Sequence, residues 1–145
     1  MREKFWERFS LGELNAKEWE ALCDGCAQCC LTRYVENQQV TVYNIACELL
    51  DIENNRCQDY RNRLKRVPSC HKLTPNNVPK YNWLPDTCAY RRVHEGRPLA
   101  SWHPLISGNQ DAMRRKGITV NHYAVPHGQV PKRRMAQHII ATWPI

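Results

Sequence analysis

The stretch Cys23-Asp24-Gly25-Cys26-Ala27-Gln28-Cys29-Cys30 puts four cysteines into eight positions and sets the last two side by side. Thiolate is a soft ligand that suits zinc and iron-sulfur clusters, and a C-x2-C pair is the repeating unit of structural zinc sites. C-x2-C-x2-C also opens the bacterial ferredoxin run. Here, however, the fourth cysteine follows directly, with no three-residue spacer and no proline after it. Adjacent side chains point in different directions in most backbone conformations. Cys29 and Cys30 are therefore expected to serve two centres, or different corners of one larger cluster, rather than to chelate one ion together. Asp24-Gly25 reads as a turn in which glycine supplies the positive φ that a cysteine knuckle uses.

Working outward, Cys47, Cys57, Cys70 and Cys88 bring the count to eight, spread from 23 to 88 without a break in composition. Eight thiolates suit two tetrahedral zinc sites of four each. They equally suit an iron-sulfur cluster on four cysteines with a second metal or structural thiols beside it. The six histidines lie between 71 and 138 with no regular ligand spacing, so the donor set is expected to be sulfur alone or nearly so, with His71 as a reserve ligand. His103 and His122 have no carboxylate at a recognisable spacing, and no catalytic dyad follows from them. For Cys47 and Cys88, both in apparently helical sequence, the competing reading is a buried small hydrophobe. A thioredoxin-like reading of Cys23-x-x-Cys26 needs a βαβ pattern that the chain does not display.

At 145 residues and 17.0 kDa the chain fits one domain, 1–145, with a metal-binding region at about 23–88 and a cysteine-free segment at 97–145. Nine prolines, two phenylalanines and a mean hydropathy of -0.67 imply a modest core that needs support beyond apolar burial. The opening MREKFWERF lacks the apolar stretch of a secretory signal, and no apolar run approaches the roughly 20 residues needed to span a bilayer. The expectation is a cytoplasmic protein with no membrane partner. In that compartment thiols stay reduced, so clustered cysteines point to metal binding or catalysis before disulfides.

The formal charge of +7 is a poor guide to the folded surface, because each ligating thiolate adds a negative charge that the count ignores. Arg61, Arg63, Lys65 and Arg66 could offset such thiolates through hydrogen bonds. The runs Arg114-Arg115-Lys116 and Lys132-Arg133-Arg134 read as solvated helix ends, and nucleic acid is not an expected partner.

Asn15 with Glu18 three residues later predicts a capped short helix that delivers Cys23. β-branched and aromatic residues on both sides of Glu36-Asn37-Gln38 predict a hairpin. Further short helices are predicted over IACELLD with Cys47, from Cys57 to Arg66, from Pro85 through Cys88 to Gly96, near 109–116, and from about Lys132. ITVNHYAV reads as β. The fold class expected is α+β: a small, irregular, metal-stapled single domain of short helices and a β-hairpin.

The order CDGCAQCC, a cysteine before Glu48-Leu49, CQDY, SCHKLT and WLPDTCAYR resembles the YcgN family, a branch of the wider CxxCxxCC group of zinc- or iron-chelating proteins. The match covers nearly the whole chain and extends to SWHPLISG. The resemblance implies that Cys23, Cys26, Cys29, Cys30, Cys57 and Cys70 belong to the motif of the wider group, and that Cys47 and Cys88 are additions typical of the branch. Tyr60 holds the aromatic place after Cys57, while Ala27 stands where family members commonly carry glycine. All eight cysteines are thus candidate ligands, with zinc or iron, including an iron-sulfur cluster, as the expected cofactor. A redox or metal-dependent enzyme is the first alternative. An interaction module for nucleic acid or an acidic partner is the second.

Overall fold

Asn15 and Glu18 build the helix that the sequence announces. In the computed structural model, which describes every residue except Ser69 of the SCHKLT motif, helix α2 runs Ala16–Leu22 and follows a shorter α1, Phe5–Arg8. The Asn15 side chain accepts the Glu18 N–H at 2.9 Å and Glu18 Oε1 accepts the Asn15 N–H at 3.0 Å, so two otherwise unpaired donors of the first turn are satisfied. Glu18 is fully buried, and its carboxylate also takes Arg2 at 2.7 Å from Nη2, 3.1 Å from Nε and 2.9 Å from the Arg2 N–H. The Arg2 guanidinium in turn covers the Phe9 ring at 3.7 Å.

The chain divides into two compact units, each made of two segments: Met1–Cys26 with Leu73–Ile118, and Ala27–Lys72 with Thr119–Ile145. The first is helical. Besides α1 and α2 it holds α4 (Ala89–His94), α5 (Pro104–Ser107) and α6 (Asp111–Arg115). Phe5, Leu11, Leu22, Val78, Leu84, Ala89, Tyr90 and Leu99 form its buried cluster. Tyr90 stacks at a tilt on Trp19, with ring centroids 4.6 Å apart, and donates its hydroxyl to the Trp19 carbonyl at 2.6 Å.

The second unit carries the sheets. Strands β1 (Leu31–Glu36) and β2 (Gln39–Ala46) pair antiparallel around Asn37-Gln38, whose φ values of 51° and 60° make the type I′ turn that matches strand twist without a glycine. β3 (Leu50–Asp51) and β4 (Arg56–Cys57) form a second small hairpin, α3 is the single turn Arg63–Arg66, and β5 (Ile139–Pro144) lies against β2, giving the order β1-β2-β5. Leu31, Ala46, Leu50 and Val120 are the buried centre of this unit. The fold is a small α+β structure of short helices and small antiparallel sheets.

Several predicted helices give way to other structure. IACELLD is the end of β2, a turn and β3, because the apolar alternation of Val40, Val42 and the residues up to Ala46 continues the hairpin, and the Cys47 N–H is taken by the Cys30 carbonyl instead of a helical partner. Cys57 is in β4, and only the last four residues of the stretch to Arg66 coil into helix. Cys88 caps α4 from outside its helical residues. The predicted β segment ITVNHYAV contains a 3-10 turn, Val120–His122, and a single bridge from Val125 to Ile45. From Lys132 the backbone is 3-10 as far as His138, and then Ile139, Ile140 and Thr142 take it into β5, filling the open edge of β2.

Candidate metal centre

In the first unit the cysteine-bearing turn grows out of the end of α2. Cys23 is the C-cap, in extended backbone, and the Leu22 carbonyl just before it is held by His103 Nε2 at 2.8 Å. His103 Nδ1 accepts the Leu105 N–H at 3.0 Å, so Nε2 carries the ring proton and donates it to Leu22. His103 is 1% exposed, and burial holds its pKa below the usual value, which keeps the ring in this neutral form. Asp24 is also buried, and its Oδ1 accepts the Cys26 N–H at 3.0 Å. Between them Gly25 sits at φ 78°, where an added Cβ would come within 3.2 Å of Gln110 Nε2. Turn chemistry and tight packing therefore both require glycine here. Cys88, at the head of α4, packs against the buried cluster of the same unit.

The other five cysteines belong to the second unit. Ala27, at φ 63° and ψ 14°, starts a 3-10 turn over Gln28–Cys30, closed by the Cys30 N–H on the Ala27 carbonyl at 2.9 Å. The carbonyls of Cys29, Cys30 and Leu31 each find a donor. Arg33 Nη1 donates to those of Cys29 at 2.9 Å and Leu31 at 3.1 Å, and the Cys47 N–H donates to that of Cys30 at 2.7 Å. Cys57 pairs across the β3–β4 hairpin with Leu50, whose N–H bonds the Cys47 carbonyl at 2.9 Å. Cys70 follows α3 and donates its N–H to Val67 at 2.8 Å. Main-chain hydrogen bonds thus bring a turn, a strand end and a hairpin together beneath Cys29, Cys30, Cys47 and Cys57.

The thiols respond to one another. A hydrogen bond with Cys29 is the largest influence on Cys30 and pushes its pKa up, followed by burial and by the charges of Cys29, Cys47 and Cys57. Burial raises Cys47, a bond from Leu49 opposes it, and the charges of Cys70, Cys57 and Glu48 add to the rise. The contact between Cys29 and Cys30 departs from the expectation that they point apart. Each sulfur lies beyond a rotatable Cα–Cβ bond, so two neighbours can converge even when their Cα–Cβ vectors diverge. All eight cysteines are unbridged, with Cys23 and Cys29 exposed and the rest half-buried.

The chemistry of this donor set fits zinc or iron: soft sulfur, partly shielded from water, with like charges that a cation would relieve. The donors are not drawn into a finished cage. Among the described residues, no three His, Cys, Asp or Glu side chains are gathered closely enough to hold an ion. Metal uptake here would require side-chain rotation and proton release, which burial and neighbouring charge oppose at Cys30 and Cys47.

Of the basic residues expected to offset thiolate charge, Arg63 lies over the Tyr60 ring at 3.9 Å and bonds the Tyr60 carbonyl, and Arg66 pairs with Asp59 at 3.3 Å. Burial lowers the pKa of Arg33, and the charges of Cys29, Cys30, Cys70 and Cys47 oppose that shift. His71, the reserve ligand, is exposed, with its pKa lowered first by burial and then by Arg33. Sequence reasoning passed over Arg33 and found no partner for His103. Nothing near His103 marked its partner, 81 positions away.

Residues 22–89 match the family model CxxCxxCC, described as "Putative zinc- or iron-chelating domain". The chain is 46% identical over 132 residues to a UPF0260 protein of Proteus mirabilis, an alignment that covers 90% of each chain. It is 44% identical over 140 residues to a UPF0260 protein of Ectopseudomonas mendocina, covering 95% of this chain and 94% of the relative. It is also 44% identical over 138 residues to the UPF0260 protein YcgN of Salmonella paratyphi A, covering 94% and 92%. No solved structure matches. Among the described residues no helix is long and apolar enough to cross a membrane.

Proposed function

The chain belongs to the UPF0260 family, and from that premise we propose that it binds zinc or iron through the thiolates of Cys23, Cys26, Cys29, Cys30, Cys47, Cys57, Cys70 and Cys88. The observation that carries this reading is the main-chain bonding that joins the Gln28–Cys30 turn, the end of β2 and the β3–β4 hairpin, which brings Cys29, Cys30, Cys47 and Cys57 from separate segments onto one scaffold. Structural thiols buried as small hydrophobes would have no reason to collect where their ionised forms repel. Cys23, Cys26 and Cys88 are the candidate donors of the other unit. The CDGCAQCC motif spans the boundary between the units, which supports treating residues 1–145 as one cysteine-cluster domain. A reducing, cytoplasmic setting would keep these thiols available.

A second reading, an iron-sulfur redox centre, draws support from the hydrogen bond between Cys29 and Cys30. Two neighbouring thiolates suit adjoining corners of a polynuclear centre better than one tetrahedral ion. Metal and acid-labile sulfide analysis of protein purified without oxygen separates the two. Stoichiometric zinc without sulfide supports the first, and brown protein with iron and sulfide in equal amounts supports the second. Protein with neither metal would overturn both. Serine substitution of Cys29 or Cys30 is expected to remove the same metal equivalent, because the two thiols touch. If each variant loses a different metal, the two thiols serve separate centres.

A further inference from the structure

The three-stranded sheet of the second unit ends differently on its two sides. β1 carries Arg33 and Glu36, charged residues that discourage a further strand from pairing there. β5 forms the other side, and from Ile139 to Ile145 it has no charged side chain. Ile139 and Ile140 are nonetheless 41% and 47% exposed, with Ala141 and Thr142 exposed beside them. The main chain shows which part of this edge is open. Ile145 donates its N–H to the Gln38 carbonyl at 2.9 Å, and antiparallel bonding alternates along a strand, so Trp143 turns to β2 in the same sense and Thr142 to the open side. Pro144 has no N–H to offer, which leaves the half toward Ile139 as the usable part. That half adjoins a basic run. Lys132, Arg133 and Arg134 are exposed in the 3-10 segment that leads into β5, and among the described residues none of the three side chains has an ion pair. His138 bonds Asn44 at 2.9 Å, so this segment continues along β2 beyond the start of β5.

We infer that the open side of β5 is a docking edge for an extended segment of another protein, added antiparallel as a fourth strand, with β-branched residues beside Ile140 and Thr142 and acidic residues after them that meet Lys132, Arg133 and Arg134. Main-chain bonds to a sheet edge supply affinity, and what flanks the strand supplies choice of partner. Antiparallel addition matches both existing pairings of this sheet and turns the C-terminal end of the incoming segment toward the basic run. The charge of that run selects the occupant. Two copies of β5 paired antiparallel would bring each basic run to the Ile145 end of the other copy, where no acidic side chain receives it. A segment that carries its own carboxylates satisfies both features at once. The inference goes beyond the metal-binding reading and does not rest on it.

The test uses the full chain at low salt and two fluorescently labelled peptides, one of alternating valine and threonine ending in three aspartates, the other with those aspartates replaced by asparagine. The acidic peptide is expected to bind saturably and the neutral one about tenfold more weakly, the margin that three exposed ion pairs supply, with the difference fading as salt is added. Replacing the run by Lys132→Gln, Arg133→Gln and Arg134→Gln together should make the two peptides bind alike. Thr142→Pro removes the outward N–H and should weaken both peptides by at least about tenfold. Ile140→Lys leaves every main-chain donor in place and puts a charge on the edge, so it carries the same expectation should the proline variant fail to fold, with far-UV circular dichroism as the check on folding. Equal affinity for the two peptides in the unaltered chain, or undiminished binding by folded Ile140→Lys, would overturn the inference. No saturable binding up to about 1 mM peptide would do the same. A dimer of the unaltered chain in sedimentation that Ile140→Lys abolishes would give the edge to a second copy and overturn it as well.

Discussion

Ala27 holds a left-handed backbone, φ 63° and ψ 14°, at the head of the turn that presents Cys29 and Cys30. For a residue with a Cβ this conformation costs about 1–2 kcal/mol, because the methyl group crowds the following carbonyl. The local fold needs it nonetheless, since the Ala27 carbonyl must receive the Cys30 N–H to start the 3-10 turn. Replacement by glycine relieves the crowding but gives the unfolded chain more freedom, which returns about 0.5–1 kcal/mol. Ala27→Gly is therefore expected to stabilise the protein by a net of about 0.5–1 kcal/mol. The measurement is a higher denaturant midpoint at unchanged slope. An equal or lower midpoint would mean that the left-handed turn is not a source of strain.

At the scale of the element, α2 shows how a seven-residue helix, too short to persist alone, is held in place to position Cys23. Its capping box fixes the start, Tyr90 bonds a carbonyl midway, and His103 holds the last carbonyl before Cys23. The start depends on charge. The Arg2 guanidinium is the largest influence on Glu18, and with the Asn15 and Arg2 N–H groups it outweighs burial and holds the carboxyl down at about 2, against an ordinary 4.5. An unfolded chain would take up the proton near 4.5 while the folded one resists. The stabilisation is complete above about 4.5 and is lost as pH falls from there to about 2. The difference in stability between the unaltered protein and Glu18→Gln should be constant near neutrality and shrink across that window. A difference independent of pH would show that the Glu18 charge contributes nothing to the cap.

At the scale of the whole molecule, the two units differ in what holds them. Eight residues form the buried cluster of the helical unit, including Phe5 and Tyr90, whereas the sheet unit centres on Leu31, Ala46, Leu50 and Val120. The sheet unit also carries five of the eight cysteines. That cluster of four, with Val40, Ile45 and Leu49 buried outside it, is modest support for a fold, and metal binding is the usual supplement in small domains because site formation contributes directly to folding. Removal of metal by a chelator is expected to speed hydrogen exchange in β1, β2, β3 and β4 by at least about tenfold, while amides of α2 and α4 keep most of their protection. Uniform loosening of both units, or none, would count against a metal staple located in the sheet unit.

Local chemistry made part of this legible in advance. Asn15 and Glu18 named the start of α2, Asp24-Gly25 the knuckle, Asn37-Gln38 the hairpin turn and Gly117 the stop after α6, because each acts on backbone groups within a few residues. The helices predicted at Cys47 and from Lys132 went the other way for a common reason. β2 offers unpaired backbone on both edges, and β1 on one side and Ile139–Pro144 on the other satisfy it better than local helix does. By itself the sequence determined the donor chemistry, the α+β class and the family, since these follow from residue types and their order. Only tertiary structure decided which cysteines share a unit, that Cys29 and Cys30 bond to each other, and that Arg33 is held by the Cys29 and Leu31 carbonyls. Charge acts through distance in space, and spacing along the chain carries no record of that distance once strands have paired.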